Sequence, residues 1–211
     1  MQKFIYRDIQ EKDYEALEKL LDMTGYFKKI TPNNKVRQIV LQVYLRSCLE
    51  DSTFTKVVEH EGQVIGIVCG RNNKHSKKVA WTPYTAGILS RLIYLHLLKE
   101  GRKTLKAHRD FSQNYKELMG DKEQQFDGEL TLLIVDKQYR RVGIGKTLIH
   151  QFLEYMKQTK AKNFYLLTDT MCQYTFYDRQ GFRKIGKQKV NLVNELKEIE
   201  IYLYDKDIEH F

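Results

Sequence analysis

The stretch that decides the fold runs from Glu129 to Ile149, "ELTLLIVDKQYRRVGIGKTLI". Its opening residues, "ELTLLIVD", are nearly all apolar and too few for a helix that buries itself, so they predict a buried strand. "RRVGIG", from Arg140 to Gly145, is a turn with two glycines. Beyond it, Leu148, Phe152 and Met156 fall on one helical line, flanked by Ile149 and Leu153, which predicts a helix over residues 145–160. A strand, a glycine turn and a helix start present backbone amides and the positive end of a helix dipole to an anion. Arg140, Arg141 and Lys146 add positive charge to the same turn.

Two familiar phosphate loops fail on particular residues. A triphosphate loop needs Gly-x-x-x-x-Gly-Lys-Ser/Thr. Gly145, Lys146 and Thr147 supply its end, but the first glycine position holds Arg140. A dinucleotide loop needs Gly-x-Gly-x-x-Gly, and after Gly143 and Gly145 the third position holds Leu148. What remains is either a pyrophosphate cradle of its own kind or an ordinary strand–helix turn with basic residues in solvent. The residues of the turn alone leave both open.

Downstream, "NFYLLTD" at 163–169 reads as a second buried strand, and "QYTFYDRQ" at 173–180 as a short helix ended by Gly181. Late strands are expected over 183–190 and 198–204, the last alternating Ile199, Ile201 and Leu203 with polar and tyrosine neighbours. Upstream, "KFIYRDI" is a first strand. Tyr14, Leu17, Leu20 and Leu21 mark a helix over 11–26, and Val36, Ile39, Val40, Val43 and Tyr44 mark another over 36–49. Residues 54–70 form two strands around a Glu61-Gly62 turn. Residues 71–127 break this rhythm. They predict a helical insertion, with helices near 86–99 and 111–119 and a polar end "GDKEQQFDG". The expectation is one α/β domain over residues 1–211, a mixed-sheet protein carrying a helical insertion.

With 211 residues, 42% hydrophobic and 30% charged, the chain is long enough for a full core and too apolar for disorder. Its formal charge of +9 favours an acidic partner, yet the lysines and arginines are scattered, which argues against a nucleic-acid stripe. Cys48, Cys69 and Cys172 match neither a disulfide framework nor a metal pattern, so no metal and a reducing, cytoplasmic setting are expected. The most apolar run, 88–98, is interrupted by Arg91 and His96 and is too short for a membrane span.

The stretch 129–149 resembles the acetyl-CoA motif of the GNAT superfamily of N-acyltransferases: Arg140, then Arg141 and Val142, then Gly143, Ile144 and Gly145. "FYDRQGF", 176–182, is similar to that family's second motif, an aromatic pair followed by Gly-Phe. The resemblance covers residues 129–184 best and implies a sheet that splays between the strands at 130–135 and 164–168, with coenzyme A in the gap. It implies that pantetheine pairs with main chain at Leu133, Ile134 and Val135. The pyrophosphate would then rest on the loop from Arg140 and Arg141 through Val142, Gly143, Ile144, Gly145 and Lys146 to Thr147. Thr170 stands where many members carry an asparagine that contacts the cofactor.

The function so implied is acetyl transfer from acetyl-CoA to a primary amine by direct attack in a ternary complex. Glu129, eleven residues before Arg140, stands where several members keep a general base; the alternative is a structural carboxylate bonded to backbone or an arginine. Tyr177, four residues before Gly181, stands where the family keeps the tyrosine that protonates the departing thiolate; the alternative is a packing tyrosine beside Phe176 and Phe182. Tyr174 is a nearby substitute that the motif does not support. Cys172 has no histidine at a readable spacing, since His60 and His150 lie on the hairpin and the helix. Trp81, Tyr84, Tyr94 and Phe111 make the insertion aromatic, suited to selecting the acceptor, covering the sheet or forming a homodimer surface. Two other classes stay open: a non-catalytic coenzyme A-binding module, and, more remotely, a nucleotide hydrolase using Lys146 and Thr147 with Asp169 at a metal.

Overall fold

Segment 129–149 folds as a strand, a turn and a helix, and the rest of the chain is arranged around it. The computed structural model describes residues 3–75, 83–191 and 198–208, without the side chains of Ile30 and residues 83–86. Trp81 and the Tyr84 ring of the expected aromatic set lie outside the described residues.

The strands are β1 (Ile5–Arg7), β2 (Phe54–His60), β3 (Gln63–Asn72), β4 (Gly128–Val135), β5 (Asn163–Asp169), β6 (Arg183–Asn191) and β7 (Glu198–Asp207). The helices are α1 (Tyr14–Met23), α2 (Tyr26–Ile30), α3 (Asn34–Glu50), α4 (Pro83–Leu97), α5 (Lys99–Met119), α6 (Ile144–Gln158) and α7 (Thr175–Arg179). The sheet order is β1-β2-β3-β4-β5-β7-β6. All neighbours are antiparallel except β4 and β5, which α6 joins as a parallel pair. Glu61 and Gly62, at φ 50° and 78°, make the tight β2–β3 turn, a conformation matched to strand twist.

The sheet parts in the middle. β4 and β5 share a single register pair, Glu129 with Tyr165. Beyond it, β4 stays on β3 as far as Val135 opposite Gly66, and β5 stays on β7 as far as Asp169 opposite Ile201. A bulge assists the parting. Cys69 pairs Leu132 while Gly70 pairs Leu130, which leaves Thr131 as an extra residue in β4. An extra residue bends and twists its strand, here beside the gap.

The two faces carry separate cores. Leu130, Leu133 and Val135 pack with the α6 residues Leu148, Phe152 and Met156 and with Phe164 and Leu166 of β5. Leu132 and Ile134 pack against Leu17, Leu20, Leu41 and Leu45 of α1 and α3. Tyr165 joins Met119 and Phe126 at the end of α5. Both faces of β7 are therefore buried, with Tyr202 and Tyr204 as enclosed as Ile201 and Leu203.

Three expectations shift. α3 buries Val36, Arg37, Leu41 and Leu45, so its inner line is rotated from the one read from Ile39 and Val43. Arg37 is drawn inside by Asp22 at 2.8 Å and the Pro32 carbonyl at 3.1 Å. α5 begins at Lys99 rather than near Phe111. Its first turns are mostly charged, so apolar periodicity did not announce them. β3 extends through Arg71 and Asn72, which pair Glu129 and Gly128, so the segment outside the sheet begins at Asn73.

Candidate active site

The loop between β4 and α6 is built by its own hydrogen bonds. The Asp136 side chain accepts from the Gln138 amide at 2.9 Å and starts a single helical turn. Arg140 then folds back, its Nε donating to the Val135 carbonyl at 3.1 Å. Arg141 and Gly143 both take left-handed backbone, at φ 68° and 92°. Gly143 tolerates this freely, whereas a β-carbon there is strained. The first amide bond of α6 runs from Thr147 to the Gly143 carbonyl at 3.0 Å. The amides of Ile144, Gly145 and Lys146 thus precede the helix's own ladder, as the first amides of any helix do. Arg140, Arg141, Gly143 and Lys146 are exposed around them. Amides at a helix start, a left-handed turn and three cations together suit a diphosphate. Thr147 donates its hydroxyl to Gly143 at 3.3 Å. Gly145 lies against α7, where an added β-carbon would sit 3.2 Å from the Phe176 ring.

The loop opens onto the gap. The Asp136 amide donates to Ile65 of β3 at 2.8 Å. Because hydrogen-bonded positions alternate along an antiparallel pair, the backbone groups of Leu133 and Val135 face away from β3, toward β5. β5 has already departed, so these groups line an unfilled strand position. An extended chain with amide groups fits it. A small cleft adjoins this end, walled by Leu20 and Met23 of α1, Ile134 and Val135 of β4, and Lys137 and Arg140.

Glu129 sits at the closed end of the gap, and its carboxylate is held by two neighbours. Arg71 Nη2 lies 2.8 Å away, across the β3–β4 pair, and the Tyr165 hydroxyl donates at 3.0 Å from β5. Burial pushes the carboxyl above the usual range, and Arg71 and the Tyr165 hydrogen bond oppose that push. Arg71 and Tyr165 escaped sequence reading because only strand register brings them beside Glu129.

Tyr177 lies on the opposite side of the sheet. Its ring packs on Phe176, Phe182 and Tyr204 at centroid distances of 5.5, 5.6 and 5.9 Å. Burial pushes its phenol upward, with the nearby Cys172 adding to the effect, so the proton is retained at neutral pH. Among the described residues its hydroxyl has no hydrogen-bond partner. Tyr174 instead packs tilted on Tyr202 at 4.8 Å, with the Lys184 ammonium over its ring at 5.1 Å. Glu129 and Tyr177 therefore lie on opposite faces of the sheet. Thr170 is exposed and tied to β7, its amide donating to the Glu200 carbonyl at 3.0 Å and its hydroxyl accepting from the Glu200 amide at 3.3 Å. Burial pushes the Cys172 thiol up to about 12, which leaves no activated thiolate.

One cluster was not read as a substrate site in the sequence. Asp169 ends β5 on the face shared by Tyr165, and is 1% exposed. It accepts from the Tyr115 hydroxyl of α5 at 3.1 Å, the Tyr26 hydroxyl of α2 at 3.3 Å and the Met171 amide at 2.7 Å. Its carboxyl is raised by burial, against those hydrogen bonds. No local pattern announces it, because its partners come from three separate elements.

Among the described residues, no group of three His, Cys, Asp or Glu side chains is placed to hold a metal ion. Nor is any helix among them long and apolar enough to cross a membrane.

Residues 96–193 match the family model described as an acetyltransferase (GNAT) domain. No curated protein sequence is significantly similar to the chain. Solved structures similar in fold include arylalkylamine N-acetyltransferase 2 from Aedes aegypti, 16% identical, with 98% of this chain and 99% of that one covered at a TM-score of 0.62. Another is the Drosophila melanogaster polyamine N-acetyltransferase, 12% identical over 97% and 100% of the two chains at 0.58. An N-acetyltransferase from Staphylococcus aureus Mu50 is 11% identical over 98% and 99% at 0.56. These identities speak for the fold alone. The match over residues 96–193 and the shared fold agree with the loop and the parted sheet: over those residues the chain is similar to a GNAT acetyltransferase domain.

Proposed function

We propose that the protein transfers the acetyl group of acetyl-CoA directly to a primary amine. The observation that carries this reading is the gap between β4 and β5, lined by the backbone of Leu133 and Val135 and opening onto the amides of Ile144, Gly145 and Lys146. An extended pantetheine chain fills the missing strand position. Its diphosphate rests on those amides between Arg140, Arg141 and Lys146.

Amide formation needs a neutral amine, a polarised carbonyl and a protonated leaving thiol. The acceptor nitrogen bonds to the acetyl carbon, the carbon–sulfur bond breaks, and two proton transfers complete the exchange. Glu129 takes the amine proton, directly or through water. A carboxylate raised by burial is a stronger base than one in water, and Arg71 opposes that rise. Tyr177 gives a proton to the departing sulfur from the other face, and its raised phenol stays loaded for the task. Backbone amides of β4 polarise the acetyl carbonyl. The helices between β3 and β4 shape the acceptor side, since α5 reaches Asp169 through Tyr115.

Thermal melting with acetyl-CoA, ATP with magnesium, and NADH in parallel tests the donor. A ligand that binds the folded chain raises its midpoint. Acetyl-CoA is expected to stabilise, and thiol release is expected on adding a primary amine. Stabilisation by ATP with magnesium and none by acetyl-CoA would sink the proposal.

A further inference from the structure

We propose that Asp169, with Tyr26 and Tyr115, receives a positively charged group of the acceptor other than the amine that is acetylated, so that the substrate is an amine bearing a second cation. This deepens the acetyl-transfer reading and rests on it.

Half-buried Glu129 and buried Asp169 share one face of the sheet. Glu129 has Arg71 as a counter-ion at 2.8 Å. Asp169, 1% exposed, has an ion pair with none of the described residues; its partners are the phenols of Tyr26 and Tyr115 and the amides of Met171 and Cys172. Neutral donors compensate a buried negative charge only in part, and an ionised carboxylate without a counter-ion is costly to enclose. An ammonium or guanidinium supplies the missing charge. The phenols serve it a second way, because their rings attract a cation at their faces.

The placement fits an acceptor reaching into the gap. Asp169 closes β5 at the open end, where β4 has separated. It lies four residues beyond Tyr165, roughly 13 Å along the strand from the level of Glu129. Tyr26 and Tyr115 are half-buried. A buried anion favours the charged form of whatever amine it holds. It would suppress the nucleophile if it held the reacting nitrogen, and it strengthens binding if it holds a group that stays charged.

The competing role is a staple that ties α2 and α5 to β5. Titration calorimetry separates the two, using the full chain saturated with coenzyme A, short α,ω-diaminoalkanes and n-alkylamines of matched length. The wild type is expected to bind its best diamine at least about tenfold more tightly than the matched monoamine. Asp169→Asn is expected to erase that preference with little change in coenzyme A affinity, and Asp169→Glu to keep part of it. Equal affinity for the two amines in the wild type, or a preference that survives Asp169→Asn, would overturn the assignment. Should Asp169→Asn fail to fold, the wild-type comparison still decides, and Tyr115→Phe is expected to reduce the preference. Diamine binding without any acetyl transfer would refute the transferase reading and leave the cation site standing. Transfer to both amines without preference would do the reverse.

Discussion

Arg71 and Glu129 face each other across β3 and β4, with Arg71 Nη2 2.8 Å from the carboxylate and Tyr165 closing the third side. The pair sets the proton affinity of the proposed base. Burial raises the Glu129 carboxyl, and Arg71 is the largest influence pulling it back. A carboxyl raised on folding binds its proton more tightly in the folded chain than in the unfolded one. Its contribution to stability therefore falls as pH rises from the ordinary carboxylate value through the raised one. Arg71→Met removes the restraint and moves the carboxyl further up. The acid limb of kcat/KM is expected to shift to higher pH in this variant, while coenzyme A affinity holds. A limb that stays in place would detach Glu129 from the rate.

Glu129→Gln keeps the shape and its bond from Tyr165 but cannot take a proton. Turnover is expected to fall by about 10² or more, with partial recovery at high pH where free amine is abundant. Steady-state kinetics on a folded variant checks it. Full activity at neutral pH would make the Arg71–Glu129–Tyr165 contact purely architectural.

Tyr177→Phe deletes one hydroxyl that has no hydrogen-bond partner among the described residues, so little loss of melting temperature is expected. Turnover should nonetheless drop by about 10²–10⁴ if the phenol protonates the leaving thiolate. The drop should be steepest for the thioester with the poorest leaving group. Wild-type turnover, measured where chemistry limits the rate, would remove the role.

Gly143→Val and Gly145→Val damage the cradle differently. Nothing lies within 4 Å of a β-carbon added at Gly143, so its cost comes from φ 92° and from keeping a phosphate at a distance. At Gly145 the new β-carbon presses on Phe176 and so disturbs α7 as well. Each variant is expected to weaken coenzyme A binding more than about tenfold, near 1.4 kcal/mol. For Gly145→Val, part of the loss should appear as lower turnover, because Phe176 adjoins Tyr177. Unchanged affinity by calorimetry in folded variants would refute the cradle.

The sequence disclosed whatever depended on neighbours along the chain. β4, α6 and β5 were legible because unbroken apolar runs and a helical repeat sit between glycine punctuation, and the Glu61-Gly62 turn named its hairpin. It withheld what depended on register. Thr131 becomes a bulge only because Gly70 and Cys69 pair where they do. Arg71 read as the start of an insertion, yet strand pairing makes it the partner of Glu129. The first turns of α5 were hidden by their charge. Asp169 was noticed only as a metal carboxylate in the nucleotide-hydrolase alternative, and its phenol partners come from helices remote in sequence.

The single rung between Glu129 and Tyr165 makes the sheet a pair of leaves on a common pivot. When leaves turn about a pivot, displacement grows with distance from it. Val135 stands six residues up β4, roughly 20 Å from the rung, so a given rotation carries the donor loop far while Glu129 scarcely moves. The proposed proton acceptor sits at the rung, where such a rotation displaces it least, and the donor loop sits at the rim, where it displaces most.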